Sequence, residues 1–112
     1  MKKFLVLYRA NVPAAEMMAN STPEQMKAGM DAWGEWMGRV GDAMLDLGAP
    51  LGASRSVDHG SPANAGGHVT GFSVLQAESL DAAAVLVENH PHLSTPGGAS
   101  IEILEYLPIP GM

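Results

Sequence analysis

Residues 21–48 read STPEQMKAGMDAWGEWMGRVGDAMLDLG, and the fold turns on how this stretch is read. Met26, Met30, Trp33, Met37, Val40, Met44 and Leu47 recur at steps of three and four, the spacing of one helical stripe. Lys27, Asp31, Glu35, Asp42 and Asp46 fall on the opposite side. Ser21 or Thr22 can cap the start, Pro23 suits the first turn, and Glu24 lies near the positive end of the helix dipole. Gly48 stands where helices commonly stop. The pattern predicts one long amphipathic helix over 21–48. The stripe reads as core for Met30, Met37 and Met44, whereas Trp36, at its edge, is the better ring for a pocket wall or a subunit contact. Gly34, Gly38 and Gly41 form a smooth strip beside the stripe, at a cost of roughly 1 kcal/mol each relative to alanine.

The other segments arrange themselves around this helix. Residues 2–9 alternate Phe4, Val6 and Tyr8 with Leu5 and Leu7, a strand apolar on both faces. Pro13 and the small residues near it form a connection. LGASRSVD, 51–58, reads as a strand, HGSPANAGG, 59–67, as a loop, and HVTGFSVLQA, 68–77, as the next strand. Ser79 caps a second helix from Leu80 to about Asn89, and SIEILEYL, 100–107, closes the sheet. PIPGM, 108–112, trails as an apolar tail. The order β-α-β-β-α-β is the ferredoxin-like pattern: a four-stranded antiparallel sheet with two helices on one face. The other face keeps large apolar side chains that a single domain of 112 residues cannot cover. A homodimer joined through the sheet faces is therefore expected, with a cavity between sheet and helices as the natural site.

Composition excludes several roles. A net charge of −6 argues against nucleic acid, which needs a basic stripe to displace counterions. Apart from Lys2-Lys3 the basic residues are scattered, so no membrane-surface patch forms. The apolar run Phe4–Tyr8 is too short for a signal peptide core or a membrane span, which makes the cytoplasm the expected location. With no cysteine, neither a disulfide framework nor a thiolate nucleophile is available.

The chemistry-bearing residues are few. In NHPHLSTPGG, 89–98, an extended His90-Pro91-His92 can turn both rings to one side, and histidine exchanges protons near neutral pH. The plainer reading of His90 is a cationic ring at a helix C-terminus, with Pro91 forbidding further helix. His92 has no such duty and is the better catalytic candidate. His68 opens a strand and can look into a cavity or into water. Arg9 and Arg55 are candidate partners for a substrate carboxylate or for whichever of Glu102 and Glu105 faces inward. Asp58-His59 reads as a solvated turn. No ligand spacing marks a metal site, so neither a metal nor another cofactor is expected.

KKFLVLYR, DLGAPLG, GFSVLQAESLDAA and HPHLSTPGGASIEILEYLPIPG together resemble the YCII-related family, including its DGPF-containing branch. The resemblance spans nearly the whole chain. It implies a dimeric α/β barrel built from ferredoxin-like subunits, in a family where a few members act as dehydrochlorinases or related lyases on small ring-cleavage products. One branch implies a histidine near the start of the first helix, paired with an aspartate; here Gln25 and Met26 occupy that neighbourhood. The Asp-Gly-Pro-Phe signature is absent, the matching loop reading HGSPANAGGHVTGF. Three functions stay open: a cofactor-free lyase or isomerase acting on a small organic acid with His92 and His90 as acid-base groups, a non-catalytic ligand-binding or accessory module, and an oxidative enzyme of the dimeric-barrel type, haem-dependent or not. Arg9, Arg55, His68, Trp36 and Glu102 are the expected substrate contacts.

Overall fold

The structure, a computed structural model, describes residues 1–55, 68–94 and 98–111. Four strands, β1 (Lys2–Ala10), β2 (Met44–Pro50), β3 (His68–Ala77) and β4 (Ser100–Glu105), form one antiparallel sheet in the order β2-β3-β1-β4. Helices α1 (Ala14–Asn20) and α2 (Pro23–Val40) follow β1, and α3 (Leu80–Val87) follows β3. The fold is α+β and ferredoxin-like, βαββαβ with α1 as an added short helix. Among the described residues no helix is long and apolar enough to cross a membrane.

The long helix is shorter than its periodicity predicts. Thr22 caps α2 reciprocally with Gln25, each side chain meeting the other's backbone N–H. The helix ends at Val40, because Gly41 takes φ +58°, a conformation that side-chain-bearing residues avoid. One 3₁₀ turn follows, and Met44–Pro50 pairs with β3 as the edge strand. Met44 and Leu47 thus fit the helical spacing by coincidence. The strand expected over 51–58 is corrected accordingly: residues 51–55 form no strand, and 56–58 lie outside the described residues. The turn TPG, 95–97, lies outside them as well.

Alternation along β1 divides the sheet into two faces. Phe4, Val6, Tyr8 and Ala10 are buried towards the helices, joined from β3 by Leu75 and Ser73 and from β4 by Ile101 and Ile103. Val40 and Val87 close this core from α2 and α3. Leu5, Leu7 and Arg9 face the other way, beside Phe72 and Val74 of β3 and Glu102 and Leu104 of β4. The molecule measures 49 × 44 × 19 Å. That thickness is about two layers, since helices and sheets stack roughly 10 Å apart.

Candidate functional site

Five rings gather on the helix-facing side of the sheet. Trp36 is 1% exposed, and its indole N–H donates to the Leu86 carbonyl at 2.8 Å. His90 meets Trp36 at 4.2 Å and Trp33 at 4.4 Å between centroids, both edge-to-face. Tyr8 lies 4.8 Å from His90, 5.3 Å from His92 and 4.9 Å from Trp33. Room for the Tyr8 ring comes from Gly71, directly opposite it on β3: a Cβ there would come within 3.4 Å of Tyr8 Cδ2 and 3.2 Å of the Ala49 carbonyl oxygen.

The His-Pro-His segment resolves into two different roles. Residues Pro91–Ser94 form a 3₁₀ turn, and the His92 backbone N–H donates to His90 Nδ1 at 2.9 Å. His90 Nδ1 therefore carries a lone pair, so the proton of the neutral ring is on Nε2, which is buried without a hydrogen-bond partner among the described residues. Burial, with electrostatic repulsion from the His92 and Arg39 side chains as lesser causes, pushes the His90 pKa down to about 4. The cationic, dipole-capping role expected for His90 is thereby corrected. Its ring is neutral and props the next turn.

His92 is also buried, but it lines the cavity. Its Nε2 lies 2.9 Å from the Arg9 carbonyl oxygen, which can only accept, so Nε2 bears the proton and Nδ1 is the basic nitrogen of the neutral ring. The β1–β3 ladder shifts register between Tyr8 and Arg9, and side chains serve both carbonyls there. His92 donates to that of Arg9, and the Thr70 hydroxyl donates to that of Tyr8 at 3.1 Å.

The cavity has a volume of about 520 Å³, within the range of small-molecule sites. Met17 and Met18 of α1 and Met30, Trp33 and Met37 of α2 form its roof and wall. Leu47–Pro50 of β2, Thr70–Phe72 of β3, Tyr8 and His92 form the floor. Among the described residues that line it there is no Asp, Glu, Lys or Arg. The Tyr8 hydroxyl donates to Ser73 Oγ at 2.9 Å, and the Ser73 hydroxyl donates in turn to the Leu47 carbonyl at 2.8 Å. Burial raises the Tyr8 pKa to about 12, the bond to Ser73 opposing it only in part, so Tyr8 stays a neutral phenol.

Of the residues singled out in the sequence, His92 reaches the cavity and His90 lies directly behind it. Trp36 belongs to the core, and Trp33 supplies the wall in its place. Met30 is 74% exposed and lines the cavity's roof, where the sequence placed it in the core. Arg9 and Glu102 pair at 3.5 Å on the opposite sheet face. Glu105 pairs with Lys2 at 3.1 Å. His68 is exposed at the start of β3, and Arg55 is exposed beyond β2. Asp58 and His59 lie outside the described residues, among which no three His, Asp or Glu side chains cluster as metal ligands would. Tyr8, Thr70 and α1 were not foreseen as parts of a site. Tyr8 was readable as an inward strand residue, but Thr70 becomes a floor residue only through the register shift.

Fold and site together define a ferredoxin-like α+β chain with an apolar cavity roofed by its first two helices. No protein-family model matches the chain, and no curated protein sequence matches it. Among solved structures it is similar to the 5-chloro-2-hydroxyhydroquinone dehydrochlorinase TftG from Burkholderia phenoliruptrix AC1100, solved in complex with 2,5-dihydroxybenzoquinone. The likeness has a TM-score of 0.54 and 22% identity, covering 94% of this chain and 93% of that one. It shows the fold.

Proposed function

We propose that the cavity binds a small planar organic molecule and that His92 exchanges a proton with it through Nδ1, as a lyase or isomerase would require. One observation carries this reading: a buried histidine with its Nε2 proton fixed on the Arg9 carbonyl lies on the wall of a cavity of about 520 Å³. Fixing one nitrogen sets the tautomer and leaves the other to act as base. His90 supports the arrangement by holding the His92 backbone. A dihydroxybenzoquinone of the kind bound by the dehydrochlorinase is small enough for such a cavity. The described lining residues include no lysine or arginine, which favours an uncharged ring over a carboxylic acid.

The test is turnover of hydroxylated and halogenated ring compounds, followed by proton exchange or halide release. Loss of a general base costs about 10²–10⁴-fold in rate, so His92→Ala should be slower by that factor. An active wild type matched by an equally active His92→Ala would remove His92 from the chemistry. A second reading, ligand binding without turnover, is favoured by the Tyr8 phenol, whose proton is committed to Ser73 and cannot serve as a ready acid partner. Tight ring binding with no reaction on any substrate would select it.

The opposite sheet face carries the partner proposal. Leu5, Leu7 and Phe72 are half-buried there and Leu104 is 41% exposed, with no helix or strand of the described residues over them. A second copy of the chain, sheet against sheet, would cover them. Sedimentation should give a dimer mass, and a stable monomer at micromolar concentration would overturn this pairing without touching the cavity.

A further inference from the structure

Among the described residues, every polar side chain that could orient a ligand on the cavity floor has already committed its own proton. The Tyr8 hydroxyl donates to Ser73, the Thr70 hydroxyl to the Tyr8 carbonyl, and His92 Nε2 to the Arg9 carbonyl. Ser73, behind Tyr8, donates onward to the Leu47 carbonyl. What these groups still offer is lone pairs: His92 Nδ1, the Tyr8 phenol oxygen and the Thr70 hydroxyl oxygen, to none of which any described residue donates. Among the described lining residues, the Trp33 indole N–H is the one side-chain donor left on the wall. The high pKa of Tyr8 keeps its proton in place, so the polarity of the floor is fixed.

We infer that this floor selects an uncharged aromatic ring bearing its own hydrogen-bond donor, a phenolic hydroxyl or an arylamine, and rejects a carboxylate on the same ring. The inference rests on the cavity being the ligand site, and it adds the direction of the hydrogen bonds. A donor on the ring satisfies a lone pair that would otherwise be buried dry, whereas an acceptor meets only acceptors on the described floor and has the Trp33 indole on the wall as its donor. A carboxylate is worse, since it gives up its hydration with no lysine or arginine among the described lining residues to replace it. Trp33 and the methionines hold the ring's faces by edge and sulfur contacts that tolerate many shapes. Discrimination therefore falls on the polar substituent and not on ring size.

Three probes that share one ring separate these cases: 2-naphthol, its methyl ether 2-methoxynaphthalene, and 2-naphthoate, each titrated at pH 8 into protein labelled with ¹³C at its methionine methyls. Met17, Met30 and Met37 report occupancy of the cavity whatever the chemistry of the probe. The expected result is that 2-naphthol shifts these methyls and binds at least about fivefold tighter than the methyl ether, the worth of one neutral hydrogen bond, and at least about tenfold tighter than 2-naphthoate. In His92→Ala the advantage of naphthol over its ether should fall towards one. If all three shift the methyls with equal affinity, or naphthoate binds best, the donor rule is overturned while the cavity remains the site. If none shifts them, the site reading fails and takes the rule with it.

Discussion

Lowering the pH should destabilise the protein through His90, by an amount its environment sets. The ring is 1% exposed, wedged among Trp33, Trp36 and Tyr8, and its Nδ1 accepts the His92 N–H. Burial of the ring holds its pKa at about 4 in the folded chain against the ordinary 6.5, and a proton on Nδ1 would besides turn that acceptor into a donor facing a donor. Above pH 6.5 the ring is neutral in both folded and unfolded chains and contributes nothing to the pH dependence. Below 6.5 the unfolded chain binds a proton that the folded chain refuses, and stability falls until about pH 4. With these two values the loss from His90 alone is about 2 kcal/mol between pH 8 and 5, approaching roughly 3 kcal/mol at pH 4. Urea unfolding at pH 8, 7, 6 and 5 measures it, wild type against His90→Leu. The variant should be less stable at pH 8 by about 1–3 kcal/mol, because the His92 N–H loses its acceptor, yet its curve should lack the acid-dependent fall. Should the variant not fold, the His90 imidazole proton signals of the wild type give the same answer directly. A midpoint near 6.5, or identical pH dependence in both proteins, would refute the argument.

The two tryptophans should separate stability from binding. Trp36→Ala removes a fully buried ring and should cost about 3–5 kcal/mol in chemical unfolding, while Trp33→Ala should cost about 1–2 kcal/mol and weaken ring binding by up to about tenfold. Equal stability losses would contradict the division between core and wall. Tyr8→Phe removes one buried hydrogen bond to Ser73 while Ser73 keeps its own acceptor, so a loss of about 1 kcal/mol is expected; a loss above about 3 kcal/mol would mean that the phenol carries more than this bond. Gly48→Ala places a methyl on the Phe72 carbonyl oxygen at φ +79°. It should cost more than about 2 kcal/mol and speed amide exchange in β2, and a neutral result would show that the edge strand does not approach β3 as closely as described.

Strand alternation in residues 2–9, the start of α2 and the strand at 68–77 were legible because each is a local rule: period two, a capping hydroxyl before Pro23, a run of β-branched and aromatic residues. The end of α2 was not. Gly41 and Gly48 both look like helix stops, and Met44 and Leu47 satisfy the helical period as well as the strand that forms. Only pairing with β3 decides between them, and that contact is distant in sequence. The same limit governed the site. His92 was readable from its own position after a proline, but choosing Trp33 over Trp36 as the wall required knowing that Trp36 faces the Leu86 carbonyl on α3. Arg9 and Glu102 were placed in their strands correctly, yet the inward face is set by Tyr8, one residue along. An odd step along a strand reverses a side chain's world.

A crystal structure of the protein grown with 2-naphthol tests the central claim most directly. The ring should lie against Trp33 with its hydroxyl about 3 Å from His92 Nδ1. Density for the ring on the outer sheet face, or an empty cavity beside a protein saturated in solution, would contradict it.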